Sequence, residues 1–432
     1  MCVRAPAARR IIIAEIITSA DAEYALELVK TICTEVGPGL PATPQERERA
    51  AIIQKELESH LGAENVVVEE FTVAPWAFLS AHPLSAFFML IAVPLNISIG
   101  RFTGVSAWVT ASAALAFSIL SVLLFIFEFV LSFEVVDPFF KKEQSVNVVG
   151  TLRKPGTQSV KRLLILSGHH DSAPENTWLR FLGYGFFIFT ATWLIGFITI
   201  SAMSIIQLTG VITGNAGIVR AGTLGWIMLA YPMAPSIIFG MFFNRGRKNG
   251  GTVPGAADNL SASALAVAMC RFLVRNPSYI PPDAEIRFVS FGSEEAGLRG
   301  SRRYVERHQD ELKHLDARLL NIETVAHPEI AILTSEVNGT VKNSPEIVKG
   351  VVAAAERARV PYRMQSAFLG VANDAGPFSK VGLKATTLLA FKVPQQMVAF
   401  YHQKWDTPEV LTIEPLLNVL KLTFEWVCHG GE

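Results

Sequence analysis

Four stretches of this 432-residue chain run for more than twenty positions without an acidic or basic side chain other than a single histidine. Between them, polar and apolar residues alternate with the periods of strands and helices. The four are 73–100, which holds His82, 102–127, 181–219 and 221–243. Each supplies the roughly 20 apolar residues that cross a ~30 Å hydrocarbon core as a helix. The competing assignment, buried core helices of a large soluble domain, fits poorly with four such segments. Trp76, Trp108, Trp178 and Trp226 fall near the expected span ends, where indoles favour the membrane interface. Pro94 with Asn96, and Pro232 with Pro235, predict kinks in the first and fourth spans. The connections "NISIGRFTG" and "TGNAGIVRAG" are short, so the spans pair as two helical hairpins, 76–131 and 179–243.

The rest, 1–75, 141–178 and 245–432, reads as one domain. Helical spacing covers 22–33, and "PQERERAAIIQKELESHLG" is an amphipathic helix stopped by Gly62. "NVVVEEFTV" and "SVNVVGTL" predict strands. "RLLILSGHHD", "EIRFVSFGSEE", "RLLNIET" and "ATTLLAF" predict buried strands that end in or near polar residues. "SASALAVAMCRFLV" predicts a helix with small residues on one face. Alternation of this kind indicates an α/β domain with a largely parallel or mixed central sheet, whose ligands sit beyond the carboxyl ends of the strands.

Composition adds three points. Lys and Arg total 38 and Asp and Glu total 38, so no polyanionic partner such as nucleic acid is implied. Charged residues are 18% against about 25% in an ordinary soluble domain, a deficit located in the four spans. Cys2, Cys33, Cys270 and Cys428 form no close pair and read as reduced thiols. The apolar run before Glu15 is too short for a secretory signal. Lys141, Lys142, Arg180, Arg245, Arg247 and Lys248 flank the spans on the side of the large domain, against Arg101 and Arg220 in the short loops. This asymmetry predicts an integral, multi-pass membrane protein with the large domain facing the cytoplasm.

Five polar elements stand out: His169 with Asp171, Asp258, the pair Glu294–Glu295, Glu323 and His402. Each has a mild explanation. His169 and Asp171 could be strand-end polarity, Asp258 a cap for the helix from Ser261, and Glu294–Glu295 a solvated helical turn. Glu323 could be an isolated acid and His402 a satisfied core histidine. Their conjunction at strand ends is harder to dismiss.

Together, "SGHHDS", "PGAADN", "SFGSEEAGLRGS" and "YHQKWDTPE" resemble, in order, the motifs of the di-zinc aminopeptidase family, which includes secreted leucyl aminopeptidases, glutamate carboxypeptidase and glutaminyl cyclase. "EVGPGLPATPQERERAA" and "NDAGPF" resemble its flanking segments, so the likeness spans about 22–75 and 145–430 without the hairpins. It implies a zinc-exopeptidase-like mixed sheet flanked by helices and interrupted by the two hairpins. It implies that Asp258 bridges two metals, that His402 and Glu295 complete one site, and that His169 and Glu323 complete the other. Asp171 would orient His169, and Glu294 would be the general base and then the general acid. Residue 323 is Glu where many relatives have Asp, and Ala257 replaces an acidic or amide residue. Imidazole and carboxylate ligands suit two Zn²⁺, with Mn²⁺ or Co²⁺ as substitutes.

The resemblance implies a membrane-bound metallohydrolase that cleaves a peptide bond, foremost as an aminopeptidase. An alternative is an amidohydrolase of N-acyl amino acids or lipopeptides reached from membrane lipid, with Trp178, Phe181 and Phe243 as candidate contacts for an acyl chain. A non-catalytic receptor-like relative is a third, weakened by the complete ligand set.

Overall fold

The computed structural model describes residues 16–230, 233–240, 252–368 and 370–432. Cys2, the segment before Glu15, Pro232, Phe243, Arg245, Arg247 and Lys248 lie outside these. Eight strands form the central sheet: β1 (Val66–Val73), β2 (Glu143–Arg153), β3 (Arg162–His169), β4 (Ala284–Phe291), β5 (Arg318–Glu323), β6 (Ile330–Leu333), β7 (Tyr362–Gln365) and β8 (Lys384–Leu389). Their order is β1-β2-β4-β3-β5-β8-β6-β7. The centre, β4-β3-β5-β8, is parallel, and β1, β2 and β6 add antiparallel pairings. β4 and β5 are buried at every position and β3 at all but its first. Strands covered on both faces carry continuous apolar runs, which is why the sequence shows them so clearly.

Helices cover both faces. Ser19–Glu35, Pro44–Leu61, Ser261–Arg275, Pro345–Ala358 and Ile413–Cys428 enclose the larger core. Arg299–His314 and Ala375–Lys380 close the other around Tyr304, Phe291 and Phe378. The helix at 44–61 ends at Gly62, held at φ +85° as a left-handed stop requires. Asp258 does not cap the following helix, whose flanking residue is Leu260. Glu294 and Glu295 precede the helix that opens at Arg299, and Glu294 is buried.

Among the described residues, four helices are long and apolar enough to cross a membrane: Ala77–Ser98, Gly104–Val130, Gly185–Ile212 and Ala256–Arg275. The last is the core helix of the α/β domain. The expected fourth span, 221–243, instead appears as Ala216–Ala230 followed by Ala234–Gly240. It starts earlier than the sequence suggested because the Asn215 side chain accepts hydrogen bonds from Gly217 N and Ile218 N at 3.0 and 3.2 Å, capping the helix. Arg220 is therefore helical, not in a loop. Trp226 is fully buried, so it is no interfacial anchor. The expected third span is divided at Gly183, φ +51°, into Thr177–Leu182 and Gly185–Ile212.

The two hairpins pack as one bundle with polar groups inside. Ser85 and Ser121 bond each other's carbonyl oxygens at 2.8 and 2.6 Å. Asn96 Nδ2 donates to Ser204 Oγ at 2.9 Å, and Gln207 Nε2 to Asn96 O at 3.0 Å. The outward faces are apolar: Val105 is 78%, Ile198 71% and Met228 73% exposed.

Strand register fixes where the hairpins leave the sheet. Val73, the end of β1, pairs with Glu143, the start of β2. β2 runs antiparallel to β4, with Val148 opposite Ser290, so this junction lies at the carboxyl edge of the parallel strands. The second hairpin leaves after β3 at the same edge. Its neck is closed by an antiparallel bridge between Pro174 and Thr252. The first is pinned to the domain by Arg299, fully buried, whose Nη2 reaches Glu128 Oε1 at 3.2 Å and Asp137 Oδ1 at 2.7 Å.

Candidate metal centre

His169 is the last residue of β3, and Glu323 the last of β5. Glu294 and Glu295 follow β4 by three and four positions. Asp258 lies in the turn before the helix Ser261–Arg275, and its peptide bond to Asn259 is cis. His402 sits in the loop after the short helix Gln395–Ala399 that follows β8, at φ +50°, a left-handed backbone that non-glycine residues seldom adopt. A Cβ on Gly168 would lie 2.4 Å from Ala262 Cβ, so only glycine lets the end of β3 approach this helix.

These elements bring all five expected ligand residues together. Asp258 faces both ways: Oδ1 is 3.3 Å from His169 Nε2, and Oδ2 is 3.1 Å from His402 Nε2. His402 Nε2 is also 3.2 Å from Glu295 Oε1, and His169 Nε2 is 3.7 Å from Glu323 Oε1. Two triads share Asp258, His169–Asp258–Glu323 and Asp258–Glu295–His402, and a third group is His169–Glu294–Glu295; in each the ligand atoms lie within 4.8 Å of one another. Glu294 Oε2 stands 3.7 Å from His169 Nε2.

Asp171 supports three of these groups. Its Oδ1 accepts from Glu294 N and its Oδ2 from Glu295 N, both at 3.0 Å, while Oδ1 lies 3.3 Å from His169 Nδ1. One buried carboxylate thus fixes both glutamates and stands beside the imidazole, whose Nδ1 is bonded to the Asp171 carbonyl oxygen at 3.3 Å.

The electrostatics are lopsided. Burial pushes Glu294 well above the usual carboxylate range, aided by Glu295 and Asp374 against the pull of His169. Burial also raises Glu295, and takes Glu323 to about 7. Burial alone would lower the His169 imidazole, but Glu294, Asp171, Asp258 and Glu323 hold it well above its ordinary value. His402 rises to about 10 in the same way, through Glu295 and Asp258. Two imidazoles do not balance this many buried carboxylates.

The donor set fits two divalent cations. Asp258 Oδ2 and Glu295 Oε1 are buried and close to His402, yet the contacts are not aligned as hydrogen bonds, and Glu323 Oε2 also lacks a partner. Three orphaned carboxylate oxygens, distributed over the two triads, are the groups a pair of cations would satisfy.

Sequence reasoning missed three supporting residues. Asp406, fully buried, accepts from Ala257 N at 2.7 Å and Asp258 N at 3.0 Å, and so orients the Asp258 turn. Burial pushes it up to about 8, with Asp258 adding to the rise. Its signal was its place in "YHQKWDTPE". Glu46 accepts from Ser293 N at 2.7 Å and Ser145 Oγ at 2.9 Å, holding the turn before Glu294. In the sequence, Thr43 and Glu46 look like an ordinary capping box. Arg49 donates to His170 O at 3.1 Å and Pro254 O at 2.6 Å, tying together the two loops that carry His169 and Asp258.

Residues 244–427 match the model of Peptidase family M28. This region contains Asp258, Glu294, Glu295, Glu323 and His402; His169 and Asp171 precede it, beyond the second hairpin. Aminopeptidase YwaD of Bacillus subtilis is 29% identical over 165 residues, 38% of this chain and 35% of its own length. The match thus spans about a third of that relative. Among solved structures, BSAP, a zinc aminopeptidase from Bacillus subtilis, superposes with TM-score 0.51 at 16% identity over 94% of both chains. A glutaminyl cyclase from an Acidobacteriales bacterium gives TM-score 0.53 at 12% identity, over 100% of this chain and 99% of its own. At these identities the two structures share the fold.

Proposed function

From its peptidase family M28 domain and the two triads that share Asp258, we propose that this chain is a metal-dependent hydrolase of peptide bonds, an aminopeptidase by kinship, held in a membrane by its two hairpins. The observation that carries the reading is Asp258, whose two oxygens face two separate imidazoles. His402, Glu295 and Asp258 would hold one zinc ion, and His169, Glu323 and Asp258 the other. Bound there, the ions supply Lewis acidity toward the scissile carbonyl and toward water.

The chain's own residues do the rest. Glu294, beside His169 and otherwise desolvated, takes the proton of the attacking water on its carboxylate and returns it to the leaving nitrogen. Its raised affinity for a proton suits the second half of that task. Asp171 keeps Glu294 and Glu295 in register through their backbone N–H groups and steadies the His169 ring.

Membrane attachment rests on the bundle, whose polar groups pair inside while its apolar side chains face out, the reverse of a soluble helical bundle. The domain organisation follows: an α/β domain interrupted by two hairpins. The basic residues next to the spans favour a cytoplasmic α/β domain.

Metal analysis after zinc reconstitution tests the site. Two ions per chain are expected in the wild type, and Asp258→Ala should lose both. One ion in the wild type, or two retained by Asp258→Ala, would refute the bridging arrangement.

A further inference from the structure

One cavity of about 480 Å³ is lined both by the carboxylate cluster and by the hairpins. Its lining includes Asp258, Glu294, Glu323 and His402 of the cluster, and Phe78, Phe125, Phe129 and Trp193 of the membrane hairpins or their approach. In all, eight phenylalanines and two tryptophans line it, more aromatic surface than the side chain of a single amino acid can cover. Its size lies in the ~300–1,000 Å³ range of pockets that enclose whole ligands.

The aromatic group is built, not loosely packed. The Phe125 ring meets Trp193 edge-on at 5.2 Å and Phe129 in a stack at 5.3 Å. Trp178, near the start of the second hairpin, also lines the cavity. Phe181 does not; it is 70% exposed, with the Arg180 guanidinium over its ring. Phe243 lies outside the described residues.

We propose that the substrate of this site is a fatty-acyl amide, an N-acylated amino acid or the N-acylated end of a peptide, whose hydrocarbon chain occupies this cavity while its amide carbonyl meets the cluster. The inference rests on the hydrolase reading above. The reaction is a balanced hydrolysis: water adds to the acyl carbon, the C–N bond breaks, the fatty acid leaves as carboxylate, and the amine departs with the proton delivered by Glu294. A carboxylate cluster and a group of packed aromatic rings lining one cavity match a molecule with one polar amide and one alkyl tail. A short peptide would leave the aromatic rings without a partner. The hairpins then have a second role, since their inner faces form the wall that reads chain length.

The test uses zinc-loaded full-length protein in nanodiscs and a series of N-acyl-alanines from C2 to C10, each below its micelle concentration. The released amine is measured. Starting from water matters, because a chain already dissolved in lipid gains little on entering an apolar cavity. Burial of each methylene is worth up to about a fourfold rise in kcat/KM, so C10 should exceed C2 by at least about a hundredfold. An unacylated dialanine is run in parallel. Cleavage of dialanine with a flat acyl series overturns the inference and leaves the peptidase reading standing. A steep acyl series without dialanine cleavage supports the inference and limits the peptidase reading. Failure on every substrate by protein carrying both ions refutes both.

Two further variants locate the chain. Thr190→Trp, which places bulk in the cavity wall, should lower the C10-to-C2 ratio by tenfold or more; Phe129→Leu should move the optimum to a longer chain. A C10-to-C2 ratio unchanged in both folded variants would show that the chain binds elsewhere, and would overturn the assignment of this cavity.

Discussion

Replacement of Arg299 by methionine tests whether one buried ion cluster fastens the first hairpin to the loop that carries Glu294 and Glu295. Arg299 is fully buried, as is Glu128 at the end of the second hairpin helix. Nη2 bonds Glu128 Oε1 at 3.2 Å and Asp137 Oδ1 at 2.7 Å, and Nη1 donates to Gly297 O at 3.2 Å, two residues beyond Glu295. Arg299→Met keeps much of the volume but strands Glu128 and Asp137 in a buried place. Removing one partner of a buried pair costs about 3–5 kcal/mol, because the other charge is left uncompensated. Glu128 Oε2 keeps its bonds from Val135 N and Val136 N at 2.8 and 3.2 Å, which puts the expected cost at the lower end, about 3 kcal/mol.

Expressed wholly in the unfolding barrier, 3 kcal/mol shortens the thermal-inactivation half-life by about a hundredfold. The assay is loss of the proposed hydrolase activity at a fixed elevated temperature in detergent, for wild type, Arg299→Met, Glu128→Gln and the double variant. Glu128→Gln alone turns an amide N–H₂ toward the guanidinium or loses the backbone bonds, so it too should be unstable. In the double variant that clash is gone, and the combined loss should fall short of the sum by at least about 1 kcal/mol. Strictly additive losses, or an Arg299→Met protein as durable as wild type, would show that the cluster does not hold the hairpin to the loop.

Glu294→Gln should retain two zinc ions by elemental analysis and lose at least about a hundredfold in kcat, the lower bound for general acid–base help; retention of a tenth of wild-type turnover would remove Glu294 from that role. Cysteine probes at Arg101 in intact cells should label from outside, and a probe at Glu432 should not; the opposite pattern would place the α/β domain outside the cytoplasm. Glu336 is fully buried against Asn343 and Asn373, and burial pushes it up to about 7 from 4.5. The folded protein therefore keeps a proton that the unfolded chain releases, so stability falls as pH rises from 4.5 to 7, by up to about 3 kcal/mol. Glu336→Gln should accordingly melt higher than wild type at pH 8, with the advantage shrinking at pH 5; a pH-independent difference would contradict it.

The parts of the fold that sequence revealed were those with one-dimensional signatures. β3, β4 and β5 are buried on both faces, so each appears as an apolar run that stops where the site begins. β6 and β7, four residues each, are too short for a period to register. The five candidate ligand residues stood out because each follows such a run or sits in a motif resembling a known one. Asp406 and Glu46 were not, because their work is to accept backbone N–H groups of residues 148 and 247 positions away. The Arg299–Glu128 contact spans 171 positions, and neither residue betrays the other locally. The fourth span was misplaced because hydropathy sees apolar length and not the Asn215 cap that starts the helix early.

The candidate metal site leads straight into an apolar hairpin without harm because the insertion is closed at its base. The chain leaves after β3 and returns before the Asp258 turn, and Pro174 bridges Thr252 across that gap. Asn176 N donates to His402 O at 2.8 Å just inside the neck, and Ser263 Oγ donates to His169 O at 3.0 Å on the core side. His169, Asp258 and His402 are thus positioned by contacts that do not pass through the hairpin. When the ends of an insert already lie side by side, its length adds little to the closure cost, since that cost grows only with the logarithm of length. The domain can therefore carry tens of apolar residues between two candidate metal ligands, and the cavity wall they form is placed beside the cluster by the same neck.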